Sequence, residues 1–362
     1  MASTADWSGL LPELMELILD RLTRISDHLH FISVCSSWKS VTMNSHYRRH
    51  LPRQLPLLML PGNDDTETRN FFSLSRGKSC GFHIPEIHRK WCRGSTEGWL
   101  IIEDKSNREI QLFDPISRDR ILLPQRRPGA LYVLDYINKA VVSSNPCKTS
   151  DYVILAIVNK TEQLSYYKSG TDRWIAITTR WYRFDDVIFY KGLFYAVGNN
   201  ASLLIYDFSS QPPMETLIPG RESGLHGTYY LVESLGELLL VIRHFSWYDN
   251  DGTRLQHIRT LRFELRKFHE SKRKWIRKYN IGDSILFLGY GCSVSVAARN
   301  FPECKRNSIY FNDSYSPSKP FHHNDIGVFN FRNRSVESFS DSFPICTTPT
   351  FWITPNYPHL LD

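Results

Sequence analysis

The chain has 362 residues, enough for two to three domains and a large core, which excludes a single small domain. Apolar residues make up 41% and charged residues 22%, values that exclude global disorder and a fibrous chain. The net charge of +7 is local: residues 254–278 hold ten Lys/Arg against Glu264 and Glu270, a surplus of eight, so the rest of the chain stands at −1. That excludes a generally nucleic-acid-binding composition. Seven cysteines, at 35, 80, 92, 147, 292, 304 and 346, form no CxxC pair and read as reduced thiols. No apolar run reaches 15 residues, and Asp6, Glu13, Glu16 and Asp20 interrupt the N-terminal apolar positions. Neither a signal peptide nor a membrane span is expected, and the chain is assigned to the cytoplasm and/or nucleus.

Residues 10–22 carry Leu11, Leu14, Ile18 and Leu22 at helical spacing, with Glu13, Glu16, Asp20 and Arg21 largely opposite, as in an amphipathic helix. Pro12 suits the first turn, where its missing N–H costs nothing, and the acids that follow favour the positive end of the helix dipole. Ser26 and Asp27 can cap a second short helix bearing Leu29, Phe31 and Ile32, and a third runs through Val34, Cys35, Trp38 and Val41. Three short helices bury their own apolar faces poorly, so such a unit calls for a partner surface.

The stretch Leu11-Pro12-Glu13-Leu14, followed by Ile18-Leu19 and Leu22, and then Val34-Cys35 with Trp38-Lys39, resembles the F-box over residues 7–45. In that family the helices dock on the Skp adaptor of SCF-type ubiquitin ligases. The resemblance implies that Leu11, Pro12, Leu14, Ile18, Leu22, Val34, Cys35 and Trp38 supply adaptor contacts or the packing beneath them. For Trp38 itself, holding the helices together is the better reading. The plain alternative is a helical hairpin packed on its own chain.

After residue 50, Pro52 and Pro56 break helix, and the chain becomes rich in Tyr, Phe, Val, Ile and Trp punctuated by turn residues. One hairpin recurs six times: 71–75 to 84–85, 110–115 to 123–124, 164–168 to 174–177, 203–208 to 218–219, 261–265 to 275–276, and 326–331 to 336–339. Each is expected to be preceded by another strand pair, seen at 98–102, 152–158, 187–197 and 229–242, which predicts four strands per unit and a β-propeller. The starts favour six blades, with five or seven as alternatives, the extra residues being placed in loops at 246–257 and 312–325. Residues 350–355 are expected to complete the first blade beside 55–60. A β-sandwich with added strands is the competing architecture.

The stretches Gly98-Trp-Leu-Ile-Ile102, 112–124 and 186–197 resemble a plant F-box family with a C-terminal KIB-type β-propeller. The resemblance covers roughly residues 55–355. The fold class is therefore mainly β, a three-helix F-box at 1–50 followed by a propeller at 51–362.

Chemistry-bearing motifs are sparse. Cys80, His83, His88 and Cys92 are zinc-capable types at an unorthodox spacing, better explained by packing and exposed imidazoles, and His322-His323 reads as a solvated loop. Asp64-Asp65 and Asp185-Asp186 are read as lying beside turns. No catalytic residue, metal site or cofactor is assigned. The basic segment is read as a solvated rim, with nucleic acid disfavoured as its partner. The implied function is substrate recognition in an SCF-type ligase, through a Skp-type adaptor, a cullin scaffold and an unidentified client protein, without a membrane. The alternative is a non-ligase scaffold or inhibitor that binds protein or nucleic acid through the basic rim.

Overall fold

The computed structural model describes residues 7–22, 27, 30–31, 34–42, 55–62, 64–115, 117–126, 136–158, 163–177, 183–210, 212–220, 227–248, 254–313, 325–339 and 350–354. Its strands form six sheets arranged as a six-bladed β-propeller. Their inner strands, in ring order, are Phe351–Ile353, Lys90–Thr96, Ile137–Val142, Phe184–Tyr190, Thr228–Ser234 and Ser293–Ala297. The recurring hairpin of the sequence is the outer strand pair of every blade, from Thr68–Ser73 with Lys78–His83 round to Asp325–Asn330 with Ser335–Ser338.

A ring follows from the strand composition. In the second blade Leu100 and Ile102 project to one face and Trp99 and Ile101 to the other, so the sheet is apolar on both sides and must be covered twice. Each face meets a neighbour: six buried apolar clusters lie one between each adjacent pair of blades. Closure comes from the C-terminal end of the chain. Phe351–Ile353 pairs antiparallel with Leu57–Met59, with Leu58 opposite Trp352, so the first blade is built from both ends of the propeller sequence.

Several details differ from the sequence expectation. The sixth sheet has five strands, not four, because Ser284–Gly289 first turns back into Ser293–Ala297 and the chain then crosses over to lay Ser308–Asp313 parallel beside it. The segment expected as a loop at 246–257 is largely strand: Glu237–Tyr248 and Arg254–His269 extend their pairing as far as Tyr248 opposite Arg254. Within that pair, Leu261 has no partner, because the register shifts between His244 and Phe245; the bulge turns Leu261 out to solvent and breaks the expected alternation of Leu261, Phe263 and Leu265. Of the expected loop at 312–325, residues 314–324 lie outside the described residues.

The head contains two α-helices among the described residues, α1 (Pro12–Leu19) and α2 (Ser36–Thr42), after a 3₁₀ turn at Trp7–Gly9. Three helices were expected. Most of the middle one lies outside the described residues, although Asp27, His30, Phe31 and Val34 are individually helical. Met15, Leu19, Phe31 and Val41 form the core of the head, and Leu57 of the first blade packs against it.

Candidate functional site

Helix α1 is apolar round more than half its circumference, and this decides what its side chains do. Met15 and Leu19 point inward, with Ile18 and Leu22 half-buried against the same cluster. Leu11 stands outside the helix in extended backbone, its carbonyl accepting the N–H groups of Leu14 and Met15. The expected single stripe of Leu11, Leu14, Ile18 and Leu22 therefore splits. Leu11 is 62% exposed, Leu14 44% and Leu17 58%; Val34 ahead of α2 is 53% exposed, and Pro12 is also exposed. Trp38 turns inward: its ring lies 4.3 Å from that of Phe31, and its Nε1–H donates to the Trp7 carbonyl at 2.8 Å. Cys35 is half-buried. The sequence reading missed Leu17, whose signal was the unbroken apolar run from Leu17 to Leu19.

The propeller axis holds a second candidate. A cavity of about 220 Å³ opens among residues of the second to sixth blades, including Thr96, Lys139, Ser143, Ile188, Leu231 and Ser293. Asp185 and Asp186 lie not beside a turn but within the inner strand Phe184–Tyr190. Asp186 is fully buried, ion-paired to Lys139 of the third blade, and accepts the backbone N–H groups of Val187 at 2.7 Å and Leu231 of the fifth blade at 2.8 Å. One carboxylate thus ties three consecutive inner strands. Burial pushes its pKa up, and the Lys139 ammonium opposes that shift. Asp185 is raised to about 6, chiefly by burial, against the pull of Arg183 at 3.4 Å. The Cys292 thiol is pushed up to about 11 by burial, so it stays a neutral thiol. Among the described residues the cavity lining offers no histidine to act as a base, and the carboxylate of Asp186 is committed to holding strands together.

A sequence-family profile described as the KIB1-4 beta-propeller matches residues 71–330, which span the second strand of the first blade to the fourth of the sixth sheet. The chain belongs to this family. Its relatives include the F-box protein SKIP23 of Arabidopsis thaliana, 28% identical over 404 residues covering 96% of each chain. A putative F-box protein of the same plant, At5g55150, is 25% identical over 97% of this chain and 98% of its own. The chain is thus a plant-type F-box protein with a KIB-type propeller. Among solved structures, a chain of a nidogen–laminin complex aligns with a TM-score of 0.40 at 9% identity, covering 82% of this chain and 96% of its own.

In this KIB-type propeller the zinc-capable residues are spread over two blades and the segment between them. Cys80 and His83 lie on the outermost strand of the first blade, Cys92 is buried on the inner strand of the second, and His88 Nδ1 lies 2.9 Å from the Thr66 carbonyl. His322-His323 lies outside the described residues. The carboxylate of Asp64 sits in a turn, where the Lys105 ammonium 2.6 Å away holds its pKa below the usual range. The basic segment occupies the outer half of the fifth blade. Glu237 receives Lys267 and Lys278, Glu264 faces Arg262 and Arg266, and Glu270 pairs across blades with Lys191 at 2.9 Å.

Proposed function

We propose that this chain is the substrate-recognition subunit of an SCF-type E3 ubiquitin ligase. Residues 1–50 act as a three-helix F-box head that binds a Skp-type adaptor and through it a cullin scaffold, and residues 51–362 form the propeller that holds a client protein. The observation that carries this reading is the set of apolar side chains, Leu11, Leu14, Leu17 and Val34, standing in solvent over a folded helical core in a chain whose relatives are F-box proteins. Covering a leucine-sized side chain contributes about 1.5–3 kcal/mol, so four together offset a substantial part of the entropic cost of association. Leu11, Pro12, Leu14, Leu17 and Val34 are the outward contacts; Ile18, Leu22, Cys35 and Trp38 hold the shape beneath them.

The chain needs no nucleophile for this task. Its work is to keep a client near a ubiquitin-loaded enzyme on the same scaffold, which raises the effective concentration of the client's lysines. Such work belongs in the cytoplasm and/or nucleus. The test is co-elution of the full-length chain with a Skp adaptor and a cullin from a sizing column. A ternary peak is expected. A folded chain that elutes alone would overturn the receptor reading and favour a non-ligase scaffold working through its basic rim.

A further inference from the structure

The outermost strand of the fifth blade, Lys274–Lys278, ends its sheet. One edge pairs with residues 265–269 of the neighbouring strand; the other presents its N–H and C=O groups to no strand among the described residues. Around that edge stand Lys272, Arg273, Lys274 and Arg277, all exposed, and among the described residues none of the four has a carboxylate within ion-pair distance. Three nearby carboxylates are engaged elsewhere: Glu237 with Lys267 and Lys278, Glu264 with Arg262 and Arg266, Glu270 with Lys191.

The register places these charges on both faces of the strand. Trp275 lies opposite Phe268 and Arg277 opposite Arg266 on one face, while Lys274 lies opposite His269 and Ile276 opposite Lys267 on the other. Trp275 is anchored: its Nε1–H donates to the Ala201 carbonyl at 3.0 Å and its ring meets Phe268. The strand is therefore held firmly from inside while its outer edge stays open. Resting on the receptor reading above, we infer that this edge takes an extended acidic segment of the client, added as a further strand, its alternating Asp/Glu side chains meeting cations on both faces.

A single lysine on an edge strand serves to discourage pairing. Four exposed cations with no carboxylate partner among the described residues do more, because they repel a basic strand, offer a neutral one no charge complement and select one of opposite charge. A peptide fits better than a nucleic acid for two reasons. The open edge offers hydrogen-bonding groups at strand spacing, and the exposed aromatic nearby, Tyr279, has the Arg277 guanidinium over its ring at 5.4 Å, so that face is not a free stacking platform.

The test is fluorescence anisotropy with the full-length chain and four labelled probes: a short Glu/Asp peptide, its Gln/Asn counterpart, the acidic peptide N-methylated at alternate amides, and an oligo-dT of matched charge. The acidic peptide is expected to bind at least about tenfold more tightly than the Gln/Asn peptide. N-methylation and the Lys274→Glu/Arg277→Glu variant should each abolish the preference, with melting temperature and Skp-adaptor capture unchanged. Equal binding of the two peptides, an unaffected variant, indifference to N-methylation, or tighter binding of oligo-dT would each overturn the inference. A chain that prefers the acidic peptide but captures no adaptor would sink the receptor reading and leave edge docking standing; the reverse pattern would sink edge docking alone.

Discussion

Lys139 and Asp186 illustrate how one buried pair organises much of the molecule. Asp186 accepts from the backbone of its own strand and of the fifth blade while pairing with a lysine of the third, so neither partner can be removed cheaply. Lys139→Met leaves a buried carboxylate without its cation and should destabilise the fold by about 3–5 kcal/mol in denaturant titration. The Lys139→Met/Asp186→Asn double variant removes the unpaired charge but keeps an acceptor for only one of the two N–H groups, because Val187 and Leu231 donate to different carboxylate oxygens, and it should recover part of that loss; a single variant as stable as wild type would contradict the assignment. Asp185 next door gives a pH signature. Its folded-state pKa of about 6 stands above the ordinary 3.8, so between those values the folded state holds the proton that the unfolded state has released. Stability should therefore fall as pH rises from about 4 to 6. Asp185→Asn keeps an acceptor for the Tyr229 N–H and should gain on the order of 2 kcal/mol at pH 7, the gain shrinking towards pH 4; a pH-independent difference would refute it. Neither role was legible in the sequence. An Asp-Asp pair looks the same beside a turn or on an inner strand, and only the ring brings Lys139 and Leu231 to it.

At the scale of elements, the outer hairpins were the most legible part of the chain. Each puts aromatic or β-branched residues on either side of a polar turn, a local pattern that needs no knowledge of partners. The second strands from the axis are almost continuously buried, as in the six consecutive buried positions of Val153–Val158 and of Ser284–Gly289, and their lack of alternation hid their boundaries. The parallel pair in the sixth sheet was invisible for another reason: its partners, Ser284–Gly289 and Ser308–Asp313, are separated by the strand Ser293–Ala297 and a 3₁₀ turn, and no local signal states which strand the returning chain will join. The closing strand was legible because its aromatic run, followed by Pro355, had to find a partner. Trp352 carries much of its hold, packing edge-on to Phe287 at 5.1 Å and donating from Nε1 to the Leu288 carbonyl at 3.0 Å. Trp352→Ala should cost about 3–5 kcal/mol, read as a lowered melting temperature. The turn before Ser293 is matched to that strand, since a methyl group at Gly291 would overlap the Phe351 ring. Gly291→Ala should therefore also lower the melting temperature, whereas an Ala at Gly170, where nothing lies near the added methyl group, strains only its left-handed turn.

At the scale of the whole molecule, the ring and the head answer different physical demands. The propeller satisfies itself: every blade covers its neighbour, and the chain end seals the circle. The head does not, because its core uses Met15, Leu19, Phe31 and Val41 and leaves Leu11, Leu14, Leu17 and Val34 facing water. The sequence foretold an apolar helix in need of a partner, yet could not say which leucines its own core would take. That division now selects the residues to change. Ile18 packs against the core, so a charge there would threaten folding, whereas Leu11 and Leu14 can carry one without disturbing what lies beneath. The most direct measurement is a calorimetric titration of a Skp adaptor into the full-length chain, wild type beside Leu11→Asp/Leu14→Asp and beside Leu122→Asp/Met214→Asp, a pair of equally exposed positions on the propeller. Saturable binding lost by at least about a hundredfold in the head variant, and unchanged in the propeller variant, is the predicted result. Equal affinity for all three folded chains, or none for any, would contradict an adaptor-docking head.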